Sequence, residues 1–237
     1  FIKKYLIMIL GSISYRRFRG KNHLIIEGSK IINNLPDKNV LFISNHQTYF
    51  ADVTAMIHVF NASLNGRWNS LKKRSYLKKL KLNIYFIAAK ETMNSGIIPK
   101  ILAYTGAIPI SRTWREKGRN IKRKINKKEI SNVQKALQNG WLITFPQGTT
   151  KPWSPIRKGT AHIIKENKPL VVPIVIDGFR RSFNKTGLRI NKKGIKQQLK
   201  IKKPLDIDYN SETLESIIEK ISFAIEQHHS DEHKATN

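Results

Sequence analysis

Val40-Leu41-Phe42-Ile43-Ser44-Asn45-His46-Gln47-Thr48-Tyr49-Phe50-Ala51-Asp52 is the stretch on which the reading of the fold turns. Val40 to Ile43 has the pattern of a buried strand, and polar residues begin where such a strand would end. In open α/β sheets, ligand chemistry collects outside those carboxyl ends. A histidine placed there can take a proton near neutral pH, and a carboxylate such as Asp52 can fix its tautomer and stabilise the imidazolium. The competing reading makes His46 a residue that hydrogen-bonds a turn and Asp52 an ordinary helix N-cap. The stretch alone favours neither.

Working outward, Val53 to Phe60 suits a buried helix entered through Asp52, with His58 on its apolar segment as a structural residue. Upstream, His23 to Gly28 reads as a strand and Asn33 to Asp37 as a turn. Downstream, strands are expected at Asn83 to Ala88, Gly106 to Arg112, Trp141 to Phe145 and Leu170 to Ile176. Between them fall helical stretches at Ile97 to Tyr104, around Ile130, Val133 and Leu137 up to Gly140, and from Lys158. A last helix covers roughly Glu212 to Gln227. Strands alternating with helices predict an α/β fold, a mostly parallel central sheet flanked by helices on both faces.

The first twenty residues join the apolar run Tyr5 to Leu10 to flanking Lys3, Lys4, Arg16, Arg17 and Arg19. The run is too short to span a bilayer, which takes about 20 apolar residues. It predicts an N-terminal amphipathic, membrane-associating helix with a basic rim, or a helix that packs on the body. The chain starts at Phe1 and not at Met, which leaves room for a preceding membrane segment or signal. Residues 1–20 are therefore read as an interfacial or packing helix, 21–229 as one α/β domain and 230–237 as a flexible tail.

The 44 Lys and Arg against 16 Asp and Glu give a formal charge of +28, a field that favours polyanions or an anionic surface. Cationic segments without a balancing acid run from Leu71 to Leu82 and from Arg180 to Lys203, and Arg115 to Lys128 is densely cationic. Part of the lysine excess, alongside many Ile and Asn, also fits an AT-rich coding sequence. The chain has no cysteine, which excludes disulfides, thiolate metal sites and cysteine nucleophiles. No P-loop, dinucleotide glycine fingerprint or repeat is present. Arg112, at a strand end, has the planar fork that grips phosphate, and taken alone is as well explained as a surface ion-pair residue. Gly148 lets a ligand approach the backbone of the Pro146-Gln147-Gly148-Thr149-Thr150-Lys151 turn, a weak signal by itself.

Placed in order, these segments resemble the glycerolipid acyltransferases of the 1-acylglycerol-3-phosphate acyltransferase type. Asn45-His46 with Asp52 resembles the first family block, Gly106 to Arg112 the second, Phe145-Pro146-Gln147-Gly148-Thr149 the third and Val171-Val172-Pro173-Ile174 the fourth. The resemblance implies acyl transfer from acyl-CoA or acyl-ACP to a lyso-lipid hydroxyl, without metal or organic prosthetic group. His46 would be the general base and Asp52 its orienting acid. Asn45, Arg112, Gln147, Gly148, Thr149 and Lys151 would bind substrate, Arg112 and Lys151 through the acceptor's phosphate. It also implies a membrane lipid surface as partner, at the cytoplasmic face of the inner or plasma membrane, with peripheral or monotopic attachment. Nucleic acid is not expected, because no aromatic–basic interleaving of a known module is visible. A non-catalytic basic protein binding membrane or nucleic acid is the rival class, and it predicts no special effect of His46.

Two departures stand out. Five residues separate His46 from Asp52 where the family has four, so a bulge or wider turn must absorb one. Gln147 stands where the third block has Glu, and Thr150 where it usually has Arg. A neutral amide at 147 raises an alternative acceptor, an amino-acid-based lyso-lipid carrying a carboxylate.

Overall fold

The computed structural model describes residues 2–111 and 127–228. Seven strands form one sheet in the order β1-β7-β6-β2-β5-β3-β4. They are β1 (His23–Glu27), β2 (Val40–Ser44), β3 (Ile84–Ala89), β4 (Ala107–Ile110), β5 (Trp141–Thr144), β6 (Leu170–Asp177) and β7 (Lys196–Ile201). All neighbours pair parallel except β6 with β7. The α/β expectation holds, and the interior strands coincide with the apolar runs that marked them. The Asn33 to Asp37 turn begins inside a 3-10 segment, Ser29–Asn34.

The connections explain why β2 is central. It lies between β6 and β5, with Phe42 opposite Val172 on one side and Ile143 on the other. All five of its residues are buried, because helices cover both faces. Val40 and Phe42 pack into the cluster under α1 (Ile2–Phe18) and α2 (Ala51–Leu64), where the Phe42 ring lies 4.3 Å from that of Phe60. Leu41 and Ile43 point the other way, toward α5 (Lys127–Asn139), α6 (Lys158–Asn167) and α8 (Leu214–Ala224). The chain leaving β2 crosses the sheet toward β3, whereas that leaving β5 crosses back to β6. Such a reversal opens a crevice at the carboxyl ends of the two strands between which it occurs.

Helix α1 does not have the one-sided polarity its sequence suggested. Ile7, Gly11, Ser14 and Phe18 form an inner stripe against the body, and Ile2, Tyr5, Ile9 and Ile13 form a second apolar stripe that is exposed. At Gly11 the helix packs closely on the body, since a Cβ there would meet Leu77 at 2.8 Å. Among the described residues no helix is long and apolar enough to cross a membrane. The expected tail, 230–237, lies outside the described residues, as does most of the cationic stretch Arg115 to Lys128.

The basic stretch Arg180 to Lys203 holds two elements that its composition hid, the short helix α7 (Phe179–Ser182) and the strand β7. In β7, Gln197, Leu199 and Ile201 face inward while lysines alternate outward, a half-buried strand written with polar residues. The remaining helices, α3 (Lys90–Met93) and α4 (Ile97–Ala103), fill the crossover from β3 to β4.

Candidate active site

His46 lies two residues beyond the end of β2, and α2 begins at Ala51, so Asp52 sits in that helix's first turn. The His46 Nδ1 atom is 2.9 Å from Asp52 Oδ2. The extra residue between them is absorbed by a loop that wraps the carboxylate. Asp52 Oδ2 accepts from the Gln47 N–H at 2.7 Å, and Oδ1 accepts from the Thr48 hydroxyl at 2.6 Å. The Thr48 N–H reaches both oxygens, at 3.1 and 3.0 Å. Tyr49 and Phe50 then run beside a second loop, donating their N–H groups to the carbonyls of Lys185 and Thr186. Gly187, with φ of 77°, lets that second loop come this close. A Cβ at Gly187 would fall 2.5 Å from Ala51 N and 2.9 Å from Thr48 Oγ1.

Asp52 is fully buried, and an ionised carboxylate only accepts. Nδ1 must therefore carry the imidazole proton, which leaves Nε2 with its lone pair. The ring is held flat against Phe145, centroids 3.9 Å apart and 20° between planes. It borders a cavity of about 1090 Å³ at the carboxyl ends of β2, β3, β4 and β5. The cavity walls combine Ile87, Ile110, Ile130, Val133 and Ile163 with the Gly148-Thr149 turn. A proton acceptor therefore opens onto a largely apolar chamber large enough for a long hydrocarbon chain.

The other expected site residues are divided. Gly148 and Thr149 line the cavity, and Gly148 makes its turn at a φ of 64°. Asn45 does not face the cavity. Its amide is spent on the backbone of Ile176, Nδ2 donating to the carbonyl at 2.8 Å and Oδ1 accepting from the N–H at 2.8 Å. It clamps the end of β2 to β6. Gln147 is also turned away, buried, with Nε2 donating to Ser154 O at 2.9 Å and Gln227 Oε1 at 3.0 Å. Both side chains are spent on other protein groups, Asn45 on the backbone of β6 and Gln147 on Ser154 and Gln227. Lys151 is exposed and is not part of the cavity wall. Arg112 lies outside the described residues.

Several contributors were not singled out from sequence. Arg157, the N-cap residue of α6, lines the cavity and donates from Nε to the Gln147 carbonyl at 2.9 Å. Gln47 joins the histidine loop to α7, its Oε1 accepting from the N–H groups of Phe179 and Arg180 at 2.9 and 3.1 Å. Glu129 lines the cavity too, bound by Lys90 Nζ at 2.6 Å and the Ser111 hydroxyl at 3.0 Å. Burial pushes the Glu129 carboxyl upward, but the hydrogen bonds from Lys90 and Ser111 outweigh it and hold the group below the usual range. Only position 47, inside the stretch quoted above, carried a signal that could have been read.

A family model described as Acyltransferase matches residues 26–177, more than half of the chain. The chain belongs to the acyltransferase family. This acyltransferase is similar in fold to a solved structure titled 1-acyl-sn-glycerophosphate (LPA) acyltransferase, PlsC, from Thermotoga maritima. The TM-score is 0.58 at 19% identity, covering 94% of this chain and 77% of that one. No curated protein sequence matches it. The matched region of the acyltransferase runs from β1 to the end of β6 and so contains His46, Asp52 and the Gly148-Thr149 turn.

Proposed function

We propose that this acyltransferase moves a fatty acyl group from acyl-CoA or acyl-ACP to the free hydroxyl of a lyso-lipid, 1-acylglycerol-3-phosphate being the first candidate. The observation that carries the reading is the His46 imidazole, oriented by Asp52 and open on its Nε2 side to the apolar cavity. Nε2 takes the acceptor hydroxyl's proton as the oxygen attacks the thioester carbonyl, a step that general-base catalysis accelerates roughly 10²–10⁴-fold. The tetrahedral adduct places a negative charge on the former carbonyl oxygen. The Thr149 N–H, which no carbonyl among the described residues accepts, is a donor suited to it. When the adduct collapses the C–S bond breaks, the imidazolium returns its proton to the departing thiolate, and ester and free thiol leave.

The lipid substrate calls for a membrane seat. A second exposed apolar group lies on α4 and its end, Ile97, Ile98, Ile101 and Tyr104. The first turn of α1 comes near the end of α4, because Lys3 donates to the Ile84 carbonyl beside Gly106, two residues past Tyr104. Lys4 and Lys100 flank this surface, and apolar insertion with a cationic rim suits the anionic cytoplasmic leaflet of an inner or plasma membrane. Attachment would be peripheral or monotopic.

Gln147 was the feature that raised an amino-acid-based acceptor, and its amide faces Ser154 and Gln227. That weakens the alternative without removing it from the test. Purified protein is assayed with oleoyl-CoA and oleoyl-ACP against lysophosphatidate, other lysophospholipids and an amino-acid-based lyso-lipid. Transfer to lysophosphatidate above the rest is expected. Transfer to none of them, with the protein folded, overturns the reading.

A further inference from the structure

Arg180 is tied at two points to the loops whose His46, Gly148 and Thr149 line the cavity. Its N–H donates to Gln47 Oε1 at 3.1 Å, next to His46. Its guanidinium Nη2 donates to the carbonyl of Thr150, in the turn whose Gly148 and Thr149 line the cavity. The residue therefore bridges, by its backbone N–H on one side and its guanidinium on the other, the two loops whose His46 and Phe145 rings are stacked. Its helix α7 belongs to the segment after β6, beyond the residues matched by the family model.

Among the described residues the charge of Arg180 has no carboxylate partner. The neighbouring carboxylate, Asp177, is taken by Arg181 Nη2 at 2.8 Å and by Gln47 Nε2 at 3.2 Å. Among the described residues no carboxylate stands within ion-pair distance of Arg180 or of Lys185. Lys185 lies in the loop that holds the histidine segment, its Nζ 5.9 Å from the centre of the Tyr49 ring, and Tyr49 is itself part of the cavity wall. A guanidinium has five N–H donors, and a single carbonyl leaves most of them unspent. An arginine held beside a cavity, with no carboxylate partner among the described residues, is suited to a planar, multiply accepting anion, above all phosphate.

We propose that Arg180, with Lys185 of the loop beside Tyr49, is the binding site for a phosphoryl group of the substrate that enters this cavity. The inference rests on the acyl-transfer reading above, in which a phosphoryl group reaches the mouth from either of two sources. One is the headgroup of a lysophosphatidate acceptor, and the other is the coenzyme A portion of the donor. The backbone anchoring through Gln47 keeps the guanidinium in place before substrate arrives, so less freedom is lost on binding.

The test compares Arg180→Ala, Arg180→Lys and Lys185→Ala with the wild-type protein, first by circular dichroism and melting to establish the fold. KM is then measured for 1-oleoylglycerol-3-phosphate at saturating oleoyl-CoA, and for oleoyl-CoA at saturating acceptor. The expected result for Arg180→Ala is a KM raised about tenfold or more for one of the two substrates, with the other KM and kcat within about threefold of wild type. Arg180→Lys, which keeps the charge without the fork, should fall between. A rise confined to the acceptor assigns the site to the lipid headgroup, and a rise confined to oleoyl-CoA but absent with oleoyl-ACP assigns it to coenzyme A. Both KM values within twofold of wild type, or a fall in kcat alone, would overturn the proposal in favour of a merely structural tie to Thr150. If the wild-type protein transfers no acyl group, calorimetric titration with coenzyme A and flotation with lysophosphatidate vesicles still decide. Weaker binding by Arg180→Ala in either upholds the site independently of the reaction, and equal binding in both overturns it.

Discussion

The His46 imidazole and the Asp52 carboxylate meet at 2.9 Å across a loop one residue longer than the family's, because two backbone amides and a hydroxyl of Gln47 and Thr48 turn inward onto the same carboxylate. Asp52 Oδ1 serves Thr48 twice, and Oδ2 serves Gln47, Thr48 and the imidazole. In Asp52→Asn, either orientation of the amide sets an NH₂ group against at least two donors. The imidazole then loses the acceptor that selects its tautomer. Turnover should fall by roughly 10³-fold or more in Asp52→Asn, and at least as far in His46→Ala, which also removes the proposed base. His46→Ala should keep its melting temperature, whereas Asp52→Asn should melt lower, since it leaves buried donors unmet. Steady-state kinetics and thermal melts check both, and His46→Ala with near-normal turnover would remove the histidine from the mechanism.

Gly187 supports the same loop from a place that touches no substrate. Its positive φ and the 2.5 Å approach to Ala51 N leave no room for a methyl group. Gly187→Ala must push the start of α2 away, and Asp52 with it. A displacement of about 1 Å at a catalytic pair can cost about 100-fold. The expected variant is folded, with kcat reduced roughly 10- to 100-fold and KM little changed. An unaffected kcat would mean that the loop tolerates the shift.

What could be read from the chain follows from burial. β2, β5 and β6 are covered on both faces, so their sequences are unbroken apolar runs and their ends were legible, together with the histidine placed at one of them. β7 was not legible, because its outward lysines and inward Gln197 conceal a two-residue alternation. The direction of a side chain at a strand end was equally hidden. Asn45 and Thr149 are both polar residues in turns that follow a buried strand, yet one clamps Ile176 and the other lines the cavity. Arg157 lines the cavity from the start of α6 and Arg180 reaches the Thr150 carbonyl from beyond β6, and nothing local to either marks it.

The α1 and α4 stripes make a separable prediction about membranes. Replacing Ile9 and Ile13 by Ser, or Ile97 and Ile98 by Ser, changes exposed side chains, so the melting temperature should hold. Flotation with vesicles containing anionic lipid should fall several-fold for each pair and further for the combined variant, with wild-type binding weakened by added salt. Activity on a monomeric, water-soluble short-chain acceptor should be unchanged. Wild-type-level flotation by the combined variant would show that neither helix is the membrane seat.

His58 provides a pH prediction through the packing of α1. It is buried between Ser14 of α1 and Tyr76, with Nε2 2.8 Å from Ser14 Oγ and Nδ1 2.8 Å from the Tyr76 hydroxyl. Ser14 gives its own proton to the Leu10 carbonyl at 2.7 Å, so the network assigns the Nε2–H tautomer, with Tyr76 donating to Nδ1. Burial drives the His58 pKa from its ordinary 6.5 down to about 4. The folded state thus holds the ring neutral in a range where the unfolded chain would protonate it. The stabilisation is complete above pH 6.5 and is lost as pH falls from there toward 4, since the unfolded chain binds the additional proton. At about 1.36 kcal/mol per pH unit, the full loss is on the order of 3 kcal/mol. Urea midpoints should therefore drop between pH 7.5 and 5.0 in the wild type. His58→Phe should be less stable at pH 7.5, having orphaned Ser14 and Tyr76, but should lose less on acidification. Parallel acid slopes for the two proteins would show that His58 does not titrate on unfolding.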